Sequence, residues 1–445
     1  MDDLICGIAT PLREGGIGII RLSGGAVLEL VGKIFPKSLP PRRAVLGGIW
    51  DGDKLLDEAI VIYFQAPHSY TGEDVVEIQL HGSPLVLKEV LALCYRLGAR
   101  AAERGEFTKR AFLNGKLDLT KAKAVMELVA AKNTRAVEMA RLKLGGSFSS
   151  EIMQLREILL AEIAHLEVLL DFPEDDIEHL YLTELSTKLH HFDEDLTHLL
   201  QRAKSGKIIK DGIRTAIVGR PNVGKSSILN LLLGENRAIV SDVEGTTRDT
   251  IEETAYLGEL PLLLVDTAGI RETTDQIEQI GVSRAKEMIA KADLVLVVVA
   301  ANERLAAADR EIVELARSKE IVLLINKMDL EPVINLAEVE ALGVKAVHFS
   351  AKKGIGQEEL AEYLAGVYLA ENLEGELNLD GVDFALLEQA KISVQNAIDT
   401  IHNGLSEDFV TIDLKECYHY LGEILGENIG EDLLDEIFSK FCLGK

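Results

Sequence analysis

Cysteine is scarce and poorly placed for any framework. The four in 445 residues, Cys6, Cys94, Cys417 and Cys442, share no metal-ligand spacing and no disulfide pattern. No apolar run approaches the ~18 residues of a membrane span. The longest, Leu294 to Ala301, has the length of a buried strand. The opening Met-Asp-Asp-Leu-Ile lacks the basic stretch of a secretory signal. These absences together predict a cytoplasmic protein with no membrane partner. Internal repeats and low-complexity tracts are missing too. Arginine is absent from residues 371–445, where 17 acidic side chains face 4 lysines in a chain of net charge −26. Such a segment repels phosphate backbones and reads as a solvated, solubilising face. What remains is an ordinary globular composition, long enough for about two to four domains.

The organisation changes twice along the chain. Residues 1–117 read as α+β: the strand-like runs Gly18–Leu22, Ile60–Phe64 and Val75–Leu80 surround one helical stretch, Pro84–Leu97. From Asp118 the period becomes helical. Ile152, Leu155, Leu159, Ile163, Leu166 and Leu170 recur at spacings of three and four, the apolar stripe of a long packed helix. Residues 213–369 alternate strands and helices as a wound, mainly parallel sheet does. After Asp380 the chain is helical again. The predicted architecture is an α/β domain (210–375) inserted into an all-α helical domain (118–209 and 376–445), preceded by an α+β N-terminal domain (1–117).

Chemistry concentrates in the α/β segment. The strand Ile213–Val218 runs into Gly219-Arg-Pro-Asn222-Val223-Gly224-Lys225-Ser226-Ser227 and then an apolar helix, the P-loop pattern in its strand–loop–helix setting. Glycines there let backbone N–H groups close on phosphates at a helix N-terminus. Lys225 reaches the β- and γ-phosphates, and Ser226 is a Mg²⁺ ligand. Asp266-Thr267-Ala268-Gly269 ends a second strand beside the expected Mg²⁺ and γ-phosphate. Asn326-Lys327-Met-Asp329 ends a third, where one carboxylate can accept both N–H groups of guanine's edge, a pairing adenine lacks. Ser350-Ala351-Lys352 closes around the base, and Gly245-Thr246-Thr247-Arg248-Asp249 supplies the first switch, with Thr247 a second Mg²⁺ ligand. Five loops in this order predict a GTP-hydrolysing P-loop domain.

One part is missing. A Ras-type GTPase carries glutamine after the second switch glycine to orient water. Here that position is Ile270, which has no side-chain hydrogen bond to give. Arg271, Glu272 and Glu278 are the candidates nearby, each equally readable as a solvated charge.

The five loops, with strings at both ends of the chain, resemble the tRNA-modifying GTPase family MnmE, also called TrmE. The strings are Gly15-Gly-Ile-Gly-Ile-Ile-Arg21-Leu-Ser-Gly24, Ser69-Tyr-Thr-Gly-Glu-Asp74, Gly105 to Leu119, and Phe441-Cys442-Leu-Gly-Lys445. The resemblance implies a homodimer joined through an N-terminal domain that binds a 5-formyl- or methylene-tetrahydrofolate. It implies a FAD-containing partner, MnmG, in a heterotetramer or larger complex, and tRNA whose wobble uridine gains an aminomethyl or carboxymethylaminomethyl group at C5. By position it assigns Arg21, Glu77, Lys116 and Lys445 to folate. It assigns Glu278 to the attacking water, and places Arg248 and Cys442 in the chemistry. It also implies K⁺ held by Asn222, Ser241, Val243 and Thr246, neutralising charge where another GTPase would use arginine. Cys442 has two further readings: a buried structural thiol, or a prenylation box, which the terminal lysine and the lack of a polybasic run argue against.

The rival reading is a ribosome-assembly or RNA-checkpoint GTPase that changes no covalent bond. A basic or KH-type module after the α/β segment would favour it. The sequence has none.

Overall fold

The computed structural model describes residues 3–131, 133–171, 178–234, 253–258, 260–265, 280–369, 377–442 and 444. The chain divides into two compact units. The first comprises residues 1–130, 140–193 and 385–445; the second comprises 131–139 and 194–384. The α/β unit therefore sits in sequence between segments of the first unit.

In the first unit, six strands form one sheet: β1 (Ile5–Ile8), β2 (Gly15–Ser23), β3 (Ala44–Asp51), β4 (Lys54–Phe64), β5 (Val75–Gly82) and β6 (Arg100–Ala101), in the order β3-β4-β5-β2-β1-β6. All neighbours pair antiparallel except β1 and β6. Strand side chains alternate between faces. On β2 this sends Ile20 and Leu22 into a core shared with α1 (Val27–Ile34) and α2 (Pro84–Arg96), and sends Arg21 to the opposite face. A third helix, α3 (Glu106–Leu113), follows β6.

Sequence reading expected one helix in this region, and there are three. Both missed helices span only eight residues, two turns, too few for a 3.6-residue period to stand out. The strand β3 was also missed, because Gly47-Gly48 inside it imitates a turn.

The helices of this unit are α4 (Leu119–Ala130), α6 (Ser147–Asp171), α14 (Glu407–Leu425) and α15 (Glu431–Ser439), with parts of α5 (Thr134–Leu144), α7 (Glu178–Asp211) and α13 (Gly381–His402). The anticipated stripe is buried on α6 at Ile152, Leu155, Leu159, Ile163 and Leu166. Each such side chain contributes about 1.5–3 kcal/mol when withdrawn from water. Arg156 on α6 fastens α14's end with a bidentate pair to Glu427, both bonds 2.6 Å, and lies 4.1 Å from the Tyr418 ring centre. Beyond α15, Phe441 packs with Phe438, Leu434, Leu119 and Ala122.

The second unit holds the sheet β12-β11-β10-β7-β9-β8: β7 (Ile213–Val218), β8 (Glu253–Leu257), β9 (Leu260–Leu264), β10 (Leu294–Ala300), β11 (Glu320–Asn326) and β12 (Lys345–His348). Only β8 and β9 pair antiparallel. Every residue of β10 is buried, as expected of a central parallel strand covered on both faces. The unit's helices are α8 (Lys225–Gly234), α9 (Ile280–Lys291), α10 (Ala307–Leu315), α11 (Leu336–Glu340) and α12 (Gln357–Tyr368). Among the described residues, no helix is long and apolar enough to cross a membrane.

Candidate functional sites

In the second unit, loops at the C-terminal ends of β7 and β11 and the loop after β12 are tied together. The P-loop leaves β7 through Gly219 and turns into α8 through two left-handed residues, Asn222 (φ 64°) and Gly224 (φ 102°). Lys225 Nζ donates to the carbonyls of Gly219 (2.8 Å) and Arg220 (2.7 Å). Burial lowers its pKa below the usual lysine range. Outside the loop, Arg220 Nε donates to both oxygens of the buried Asp309 (2.9 and 3.0 Å), and Nη2 donates to Glu303 (3.1 Å). Asp309 also accepts the Ala306 N–H at the start of α10, so the P-loop is braced against that helix.

Asn326 joins the P-loop to the loop after β12. Its amide donates to the Val223 carbonyl (2.9 Å), and its oxygen accepts the Ala351 N–H (3.1 Å). Three residues on, Asp329 Oδ1 accepts the Ser350 hydroxyl at 2.7 Å. That bond, with Lys352 and Lys353 nearby, holds the Asp329 carboxyl below the usual carboxylate range. Its ionised oxygens suit a ligand edge with two N–H donors. The structure thus brings together Val223, Gly224, Asn326, Asp329, Ser350 and Ala351. Lys225 and Asn222 occupy the same P-loop. Of the other expected residues, Ser241, Val243, Thr246, Thr247, Arg248, Asp266, Thr267, Ala268, Gly269 and Glu278 lie outside the described residues. Sequence reasoning missed Arg220 and Asp309. The P-loop pattern leaves the first as a variable position, and nothing in the sequence marks its partner 89 residues away.

The first unit has a second cluster. Arg21 and Glu77 are register partners on β2 and β5, so their side chains share the face away from α1 and α2. Arg21 donates to Glu77 Oε1 from Nε (3.0 Å) and Nη2 (2.8 Å). The guanidinium lies 5.1 Å from the Tyr70 ring centre and 5.6 Å from that of Phe107. Its Nη1 donates to the Gly444 carbonyl at 3.3 Å, so the chain's last turn returns to this sheet. Gly444 has φ 86°, and a Cβ there would stand 2.2 Å from the Ile8 carbonyl oxygen, an approach only glycine permits. Lys116 lies at the edge, donating to the Pro67 carbonyl at 3.0 Å. Cys442 is exposed, which removes the reading of a buried structural thiol. Lys445 lies outside the described residues.

The loop bearing Tyr70 is pinned from behind. Ser23 bonds to both Thr71 (2.7 Å) and Glu73 (2.8 Å), and the buried Arg110 bridges Glu73, Asp3 and Glu106. None of these was singled out from sequence. All but Asp3 do lie within the quoted strings, as does Tyr70, and that was the only available signal.

Comparison with known proteins settles the family. A model of the MnmE helical domain matches residues 119–442, and one described as GTP-binding protein TrmE N-terminus matches residues 4–116. This chain belongs to the MnmE (TrmE) family. It is similar along its whole length to three bacterial proteins, each named tRNA modification GTPase MnmE. Identity is 47% to that of Aquifex aeolicus, 43% to that of Alkaliphilus oremlandii and 42% to that of Clostridioides difficile, with 100% of both chains covered in each case. The P-loop cluster falls within residues 119–442, and Arg21, Tyr70, Glu77, Phe107 and Lys116 fall within residues 4–116; Gly444 lies just beyond the matched segments.

Proposed function

We propose that the chain is the GTP-hydrolysing component of a tRNA-modifying system. The observation that carries this is the Asn326–Asp329–Ser350 wall, bonded through Asn326 to the P-loop and presenting an ionised carboxylate to the position of a base. The modification we assign is an aminomethyl or carboxymethylaminomethyl group added at C5 of the wobble uridine, with a tetrahydrofolate as one-carbon donor. The system works as a homodimer with the flavoprotein MnmG, in the cytoplasm. The corresponding division is an N-terminal folate-binding and dimerisation domain (1–117), a GTPase domain (210–375), and a helical domain in two parts (118–209 and 376–445).

The first-unit cluster fits a folate chemically. Both Arg21 bonds use Glu77 Oε1, leaving Oε2 to accept N–H groups of a pterin edge. Tyr70 and Phe107 offer aromatic surface, while Arg21, Lys116 and Lys445 suit carboxylates of the glutamate tail. The folate supplies a one-carbon unit. The chain's part is to hold and orient it, with the exposed Cys442 assigned to the chemistry. In the GTPase domain, Lys225 binds phosphate oxygens once it leaves the Gly219 and Arg220 carbonyls, with Ser227 and the backbone N–H groups of the loop around it. Ser226 and Thr247 would hold Mg²⁺, which supplies positive charge to the phosphates. The nucleotide contacts continue through Thr246, Asp266, Thr267, Ala268, Gly269, Lys327 and Lys352. Glu278 orients water and Arg248 assists. Asn222, Ser241, Val243 and Thr246 would hold K⁺, which supplies positive charge near the β- and γ-phosphates.

GTP hydrolysis measured in KCl and in NaCl at equal ionic strength tests the cation assignment. Na⁺ is too small for a cage of carbonyl oxygens sized for K⁺, so the KCl rate should be higher by roughly tenfold or more. Equal rates would remove the potassium assignment and leave the nucleotide site standing.

A further inference from the structure

We infer that the positively charged end of the first-unit sheet is a landing surface for tRNA phosphates. It is formed by Lys37, Arg42 and Arg43, and Lys116 marks where it meets the Arg21–Tyr70 cluster. The inference rests on the tRNA reading above.

Charge distribution is the first argument. The chain carries −26, yet residues 1–117 are balanced, with fourteen acidic and fourteen basic side chains. Within that region the signs are segregated. Residues 30–50 contain Lys33, Lys37, Arg42 and Arg43 and no acid, and residues 59–72 contain no acid and no lysine or arginine. The fold brings these two stretches together: β3 and β4 pair, with Ala44 opposite Ile62, and the Arg42 N–H donates to the Tyr63 carbonyl. One end of the sheet is therefore cationic in a chain of net charge −26.

The second argument is how the cations are held. Arg42, at φ 57°, is one of four non-glycine residues with positive φ among those described. Its Nη2 donates to the His68 carbonyl at 3.2 Å. Lys116 Nζ donates to Pro67, the neighbouring carbonyl, so the two cations flank one loop. Lys37 Nζ donates to the Leu46 carbonyl at 2.7 Å. Each is anchored by a single bond to a neutral carbonyl instead of an acid. Full charge and the remaining donors of each group face solvent, the arrangement suited to phosphate oxygens. Arg43 is exposed and has no side-chain partner among the described residues. Asp74, a carboxylate on the neighbouring loop, is occupied by the Tyr63 hydroxyl (2.9 Å) and the Ala66 N–H (2.8 Å).

The third argument is continuity. The loop flanked by Arg42 and Lys116 runs directly into Tyr70, which stands over Arg21. Phosphates held here place an RNA strand next to the pocket proposed for the one-carbon donor.

The test uses the full-length chain and an unmodified tRNA transcript, with binding measured over a KCl series. Arg42→Glu/Arg43→Glu should weaken binding at least roughly tenfold at moderate salt, and lower the slope of log affinity against log salt by about two. Lys88→Glu, a change at an exposed lysine on α2, should leave both close to the parent. Nucleotide affinity and the thermal midpoint of each variant serve as folding checks. Parent-like tRNA binding by the double variant would overturn the inference, as would equal weakening by Lys88→Glu. A double variant that keeps tRNA affinity but loses affinity for a triglutamyl folate would reassign the surface to the folate tail. Absence of tRNA binding by the parent would overturn the tRNA reading itself, and this surface with it.

Discussion

Asp329→Asn should convert a guanine-selective site into one that prefers xanthine nucleotides. The carboxylate has Oδ1 on the Ser350 hydroxyl and is kept ionised by that bond and by Lys352 and Lys353. Guanine offers two donors on one edge, its ring N–H and its amino group, and an ionised carboxylate accepts both. Asparagine presents one acceptor and one donor. Its N–H₂ then opposes guanine's amino group, donor against donor, in a site closed by Ser350 and Ala351. Xanthine carries a carbonyl in place of that amine and restores the match. GTP affinity should fall by roughly a hundredfold, as expected when a bond to a charged group is replaced by a clash of donors. Xanthosine triphosphate should gain. Competition between the two nucleotides reads the switch directly, and unchanged GTP selectivity would detach base recognition from this loop.

Gly224→Ala should cripple nucleotide binding through a single methyl group. At φ 102° the residue lies where side chains are strained, and the new Cβ would stand 2.2 Å from Asn326 Nδ2. Asn326 is buried and cannot simply move aside. Its amide holds the Val223 carbonyl at 2.9 Å and its oxygen holds the Ala351 N–H at 3.1 Å. Displacing it leaves buried polar groups unpaired, at about 1–3 kcal/mol for each. Backbone strain adds about 1–3 kcal/mol. Both nucleotide loops loosen at once, so affinity for GTP and GDP should fall by at least roughly a hundredfold. Calorimetric titration with GDP is the check. Parent-like affinity would mean that the P-loop and base loop are not coupled through Asn326.

These two residues also show what the sequence made legible. Gly224, Lys225, Asn326 and Asp329 were readable because phosphate and guanine each demand particular residue types at particular loop ends. The stripe on α6 was readable because 25 residues repeat the helical period many times. Arg220 and Asp309 were not, since their pairing depends on how two loops 89 residues apart converge. The same holds for Arg110, whose partners Asp3, Glu73 and Glu106 come from three segments. Arg21 and Glu77 entered through family resemblance. Their direct pairing follows from the β2–β5 register, which a 56-residue separation hides from any local pattern. The short α1 and α3, with two turns apiece, carried too little periodicity to be seen.

The central claim is that GTP turnover by this chain serves modification of the wobble uridine in tRNA. Mass analysis of nucleosides in bulk tRNA, from a strain lacking the chain and from the same strain complemented, tests it most directly. The account predicts that C5-aminomethyl-type uridine disappears without the chain, returns with the parent, and does not return with Gly224→Ala. Persistence of that nucleoside in the deleted strain, or full restoration by Gly224→Ala, would contradict it.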